Sequence, residues 1–280
     1  MNVDVRRYGK MSVFLHAEDK RNINRVDSGS MTAIIRIGQD FQNNFYEIRI
    51  PLTTTRQKLY ASSEARDVWP LENELNLSLM DLVKLKLERD KQNIPFNKKF
   101  GQNFGRQRYS VMGNPNLGEV RGVLIAFENT KSDVPMDAEV WINELRLSDL
   151  DEEGSWAALG RMDISLADLG TIAVSVNSRT TGFGSIEQKM NERAKTGLTQ
   201  FDIATNIDAG KLLPKQVRIS LPVFAGINKT QENPQFDPFD KDILYKNKIS
   251  ALSGAKKDSV QKASIDQTTI KTLNFTNVRF

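Results

Sequence analysis

The sequence predicts a mostly β chain, with a sandwich domain of jelly-roll character followed by longer antiparallel strands. Three observations carry this. Short apolar runs separated by polar crossings recur through the first half. From residue 156 onward, apolar side chains fall on every second position along successive segments, which is the period at which strand side chains change faces. Helical spacing of apolar residues stands out near residues 79–89.

The first domain is placed at residues 1–149. Residues 11–16 (MSVFLH) and 31–38 (MTAIIRIG) are compact apolar runs. Within 45–52, Tyr46, Ile48 and Ile50 alternate with Glu47 and Arg49, and residues 119–127 (EVRGVLIAF) and 138–147 (AEVWINELRL) supply two more strands. Leu79, Leu82 and Val83, set against Lys84, Lys86, Glu88 and Arg89, predict an amphipathic helix of a few turns. Residues 91–110, rich in Asn, Gln, Gly and Lys, read as a loop. Strands of both patterns joined by polar crossings suit an antiparallel jelly roll.

The second part, 150–280, begins at the acidic joint LDEEGS. Trp156, Ala158, Gly160, Met162, Ile164 and Leu166 fall on one face, with Arg161 and Asp163 on the other. Ile172, Val174 and Val176 alternate with Thr171, Ala173, Ser175 and Asn177, and Val217, Ile219, Leu221, Val223, Ala225 and Ile227 alternate with Arg218, Ser220, Pro222, Phe224, Gly226 and Asn228. Asp168-Leu169-Gly170 is a tight hairpin turn, because Gly accepts positive φ. Residues 188–198 and 231–262 are long polar connections. The later one, basic through Lys241, Lys246, Lys248, Lys256, Lys257 and Lys262, reads as an exposed flexible loop. Residues 269–280, with Leu273 and Phe275 on one face, read as the start of a further strand. A face carrying Arg161 and Asp163 is costly to bury. The apolar face therefore needs a cover, and the residues leave open a second sheet or lipid.

Composition excludes several functions. The 39 basic residues are nearly matched by 35 acidic ones and mixed along the chain, unlike a nucleic-acid-binding face. With no cysteine, disulfides, thiolate nucleophiles and Cys metal sites are excluded. His16 is the only histidine, so His-based metal sites and Ser-His-Asp triads lack a partner. Gly182-Phe183-Gly184 lacks the third glycine of a dinucleotide loop. Asp149, Asp151, Glu152 and Glu153 suit a solvated joint and match no EF-hand, although an ion there stays open. Nothing sets Glu187 and Glu192 at the separation of a glycosidase pair. No catalytic, cofactor-binding or metal-ligating residue is assigned, and no enzyme is expected. No segment approaches the ~20 apolar residues of a membrane helix, and residues 1–7 carry no apolar signal core.

Longer words in the chain resemble a known family. Val140-Trp141-Ile142-Asn143-Glu144-Leu145-Arg146-Leu147 followed by Trp156-Ala157-Ala158 is similar to the SprA (Sov) family. So are Gly182-Phe183-Gly184-Ser185-Ile186-Glu187-Gln188-Lys189 with Asn191-Glu192-Arg193, and Phe201-Asp202-Ile203-Ala204-Thr205-Asn206. His16-Ala17-Glu18 and Arg36-Ile37-Gly38 extend the likeness forward, and Asn274-Phe275-Thr276-Asn277-Val278-Arg279 carries it toward the end. The resemblance implies the outer-membrane translocon of the type IX secretion system of gliding and pathogenic Gram-negative bacteria, an exceptionally large single-chain β-barrel with inserted domains. It also implies as partners secreted cargo proteins with a C-terminal sorting domain, a PorV-type shuttle barrel, a plug protein and outer-membrane lipid. No nucleic acid or cofactor is implied.

The expected architecture is then a jelly-roll-like β-sandwich insertion domain at 1–149, followed at 150–280 by antiparallel strands of a partial transmembrane β-barrel, the chain being an internal piece of a much larger wall. Arg161, Asp163, Asn177 and Arg218 are expected to face the lumen, and Ile164, Ile172, Val174 and Ile219 to face lipid. The alternative is a soluble or surface carbohydrate-binding sandwich with Trp69, Trp141 and Tyr46 as its aromatic platform.

Overall fold

The computed structural model describes residues 2–19, 26–56, 60–131, 133, 135–151, 153–189, 192–214, 219–250 and 252–279. The fold is mostly β, and all its ladders between named strands are antiparallel. It divides into two compact units, Met1–Glu152 and Glu153–Phe280.

The first unit contains β1 (Tyr8–Asp19), β2 (Met31–Gly38), β3 (Phe45–Pro51), α1 (Ala65–Val68), β4 (Leu75–Ser78), α2 (Leu79–Lys91), β5 (Phe100–Phe104), β6 (Gln107–Met112), β7 (Gly122–Asn129) and β8 (Ala138–Leu150). They form two sheets, ordered β4-β1-β8 and β5-β6-β3-β2-β7, in a sandwich-like arrangement. Alternation explains the core. Met11, Val13, Leu15 and Ala17 of β1 are buried. Ala33, Ile35 and Ile37 of β2, paired with Ile50, Ile48 and Tyr46 of β3, are buried as well. Each Val, Leu, Ile or Met side chain among them stabilises the unit by about 1.5–3 kcal/mol when withdrawn from water. Helix α2 packs on β1, β4, β5 and β6 and buries Leu79, Leu82, Val83 and Leu85.

Two expectations change here. Residues 91–110 are not one loop, because β5 and the start of β6 lie inside them. Gly101 leaves room for Ser110 on the neighbouring strand, a contact any Cβ would obstruct. The charged side of α2 is also not all solvated, since Lys86 and Arg89 are fully buried. Lys86 Nζ donates to the Pro115 carbonyl at 2.9 Å, and Arg89 donates to the Gly113 carbonyl and stacks 4.6 Å over the Phe96 ring. Buried charges of this kind persist only when their donors are engaged.

The second unit is one five-stranded sheet, ordered β13-β12-β11-β10-β9, with β9 (Ala157–Ser165), β10 (Gly170–Arg179), β11 (Thr196–Asp208), β12 (Pro222–Pro234) and β13 (Asp266–Phe275). The sheet is open and does not close into a barrel. The β9–β10 turn is the tight one expected: Leu166 N donates to the Gly170 carbonyl at 2.8 Å, and Gly170 has φ +155°. Ala167 shares the strain with φ +49°. Between β12 and β13 the chain folds into α3 (Tyr245–Ser250) and α4 (Gly254–Ser264), where the sequence suggested a flexible loop. Asp237 is fully buried and ion-paired with Lys248, and it accepts the Phe239 N–H at 3.1 Å. Ile243 is buried and donates its N–H to the Asp240 carbonyl.

Candidate functional site: a sheet with two chemically opposite faces

Residues directly opposite each other in an antiparallel ladder share a face, so the register sorts the second unit into two surfaces. On one face a row runs Ile164, Ile172, Thr205, Ala225, Leu273 from β9 to β13. The next row is Met162, Val174, Ile203, Ile227, Lys271, and the third is Gly160, Val176, Phe201, Lys229, Thr269. On the reverse face the rows read Asp163, Ala173, Ala204, Gly226, Thr272, then Arg161, Ser175, Asp202, Asn228, Ile270, then Leu159, Asn177, Gln200, Thr230, Thr268.

The first face is oily and lies open to the surroundings: Met162 is 55% exposed, Leu273 61% and Phe275 58%. The reverse face is held by polar pairs. Arg161 Nε donates to Asp163 at 3.0 Å, and the Asn228 amide donates to Asp202 directly across the β11–β12 ladder. Leu159, Leu198, Phe224 and Ile270 are apolar exceptions there.

The structure therefore brings Arg161, Asp163 and Asn177 onto one face and Ile164, Ile172 and Val174 onto the other. Arg218 lies outside the described residues. Ile219 stands off the sheet, in the connection before β12, where its carbonyl lies against Gly210. The alternation through residues 217–227 ran on without a break, but the ladder starts only at Pro222, opposite Asp208. A proline has no N–H to donate and is favoured at the first residue of a strand.

Asp208 organises that end of the sheet, accepting the N–H groups of Gly210 (3.1 Å) and Leu221 (2.9 Å). Lys229 and Lys271, on the oily face, were not singled out by the sequence pattern. Their signal was present, since each lies two residues from an apolar member of that face, Ile227 and Leu273.

The remaining candidates are structural. His16 is 2% exposed; its Nδ1 donates to the Val68 carbonyl at 2.6 Å, and its ring lies 5.7 Å from that of Trp69 and 5.2 Å from that of Trp141. Tyr46 is buried in the other sheet of the sandwich, so it joins no aromatic platform with the two tryptophans. Asp149 pairs with Lys10 at 2.9 Å, and among the described residues no group of three or more metal-ligating side chains converges. Glu47 is fully buried on the outer side of the five-stranded sheet, between Lys99 (2.6 Å) and Arg36 (2.8 Å). Burial opposes its charge, but the two cations prevail and hold its carboxyl below the usual carboxylate range.

A family model described as motility related/secretion protein, SprA_N, matches residues 1–249, spanning the first unit and most of the second. No curated protein matches the chain.

Proposed function

The chain belongs to the motility-related secretion protein family SprA_N, and from that membership we propose that its second unit is a stretch of wall of an outer-membrane channel for secreted proteins. One observation carries the proposal: side chains are sorted across all five strands, oily residues on one face and polar pairs on the other. Such a wall puts acyl chains against Ile164, Ile172 and Val174, and water against Arg161, Asp163 and Asn177.

The dimensions of β9 come close to those of a bilayer. On the oily face this strand, Ala157–Ser165, carries no charge. Its eight steps span ~26 Å at ~3.3 Å per residue. At a strand tilt of ~40° they give ~20 Å of height, most of the ~25 Å apolar band of an outer-membrane barrel. Trp156, 55% exposed next to one end of that span, stands where such barrels carry aromatic girdles. Among the described residues of this unit, every named strand belongs to the one sheet.

In this role the protein performs no bond chemistry. A wide polar lumen passes cargo bearing a C-terminal sorting domain, and a plug and a lateral opening toward a shuttle barrel control release. The first unit serves as a water-soluble inserted domain. Arginine at Val174 then costs ~2–4 kcal/mol when the protein folds into vesicles, if the site lies near the bilayer midplane, and at Asn177 about 1 kcal/mol or less. In cells, Val174→Arg lowers the amount of protein in the outer-membrane fraction, and cargo is retained. Equal tolerance of arginine at the two positions contradicts the proposal.

A further inference from the structure

The charges of the second unit are distributed unevenly between its two faces. Asp163, Asp202, Asp208, Glu232 and Asp266 all fall on the polar face. The oily face carries no acidic residue in its five strands, but it carries two cations, Lys229 and Lys271. Both are exposed, and neither makes a hydrogen bond or ion pair among the described residues.

Their placement is specific. Lys229 lies opposite Thr269 and Lys271 lies opposite Ile227, so the two are diagonal neighbours on adjacent strands, with backbones ~7–8 Å apart. At that separation two long side chains are within reach of each other, so a single anion can join both ammonium groups. Directly beside them the face is apolar, with Phe201 opposite Lys229 and Ile203 opposite Ile227. Beyond Lys229 the same face turns polar, with Thr199 opposite Gln231 and Gln231 opposite Gln267. The lysines thus mark the level at which the band ends on β12 and β13, with stems able to lie along apolar surface while their ammonium groups reach toward water.

We propose that Lys229 and Lys271 together bind the phosphate of an anionic membrane lipid whose acyl chains lie on the Phe201, Ile203, Ile227 and Leu273 surface. The assignment rests on the membrane-wall role proposed above and adds to it a headgroup chemistry and a place. An anionic amphiphile matches both halves of the site, the paired cations and the apolar bed below them. Free phosphate or an acidic peptide matches only the first.

The test is flotation of the full chain with phosphatidylcholine vesicles, with and without an anionic phosphatidylglycerol fraction. The wild-type chain is expected to gain about 30-fold in partitioning when the anionic lipid is added, from ~1 kcal/mol for each lysine. Lys229→Gln with Lys271→Gln removes that gain but leaves binding to pure phosphatidylcholine unchanged. The double arginine variant keeps the gain, and inorganic phosphate at constant ionic strength does not abolish it. A gain that persists in the double glutamine variant, or that inorganic phosphate abolishes, overturns the lipid site alone. Absence of binding to either vesicle overturns the membrane-wall role together with it.

Discussion

Asp202 of β11 accepts a hydrogen bond from the Asn228 side chain directly across the ladder in β12. One residue along, and on the opposite surface, Ile203 faces Ile227 with no polar partner. This reversal of chemistry over a single residue step recurs between β9 and β10, where Arg161 faces Ser175 and Met162 faces Val174. A one-residue slip in register would put Asp202 among the apolar side chains, so the hydrophobic pattern and the register specify each other.

The buried carboxylate of Glu47 makes the first unit acid-sensitive. Its folded pKa lies below the unfolded one because Lys99 and Arg36 outweigh the effect of burial. It therefore adds stability that is complete above the usual carboxylate pKa and is lost as pH falls through the lower, folded value. Asp40 acts in the same direction, its carboxylate held down chiefly by the Asn43 N–H, with Gln42 and Asn44 adding further hydrogen bonds. Chemical denaturation of the chain at falling pH is expected to show a first-unit midpoint that drops below about pH 4.5. Glu47→Gln should lower that midpoint at neutral pH by an equivalent of ~2 kcal/mol and flatten its pH dependence.

His16 links three segments of the first unit. Replacing it with alanine leaves the Val68 carbonyl without its donor and empties the space between Trp69 and Trp141. A loss of about 2–4 kcal/mol is expected from the cavity and the missing hydrogen bond together. Near-ultraviolet circular dichroism should change as well, because two of the three tryptophans border the site. An unaltered spectrum and midpoint would show that the histidine is not a tie.

In the connection between β12 and β13, Lys248→Met strands the buried Asp237 carboxylate without its cation. Removing one partner of a buried pair typically costs ~3–5 kcal/mol, here discounted because Lys248 is part-exposed. Residues 235–265 should become sensitive to limited proteolysis while the far-ultraviolet β signal of the sheet is retained.

Periodicity made the two faces of β9 and β10 legible, because strand side chains change sides at every residue whatever their context. It could not show where a ladder begins, which is why Ile219 falls outside β12. Residues 245–250 and 254–264 form helices although their sequences are polar, and the pairing of Lys248 in α3 with the buried Asp237 is invisible to composition. Lys86 and Arg89 looked like a solvated helix face for the same reason. The carbonyls that receive them, at Pro115 and Gly113, come from a segment more than twenty residues away. The alternation in 45–52 was read correctly, yet the burial of Glu47 depends on Lys99, which is 52 residues distant.

The chain has no cysteine, so a single introduced thiol gives one nitroxide label at a chosen position. Labels at Val174→Cys and Ser175→Cys, adjacent in β10 and on opposite faces, can be compared in the vesicle-inserted protein by collision with lipid-soluble oxygen and with a water-soluble nickel complex. The label at 174 is predicted to collide with oxygen and be shielded from nickel, and the label at 175 to show the reverse. Nickel access at both positions, or a label at 174 immobilised against protein and reached by neither reagent, would contradict a wall with hydrocarbon on one side and water on the other.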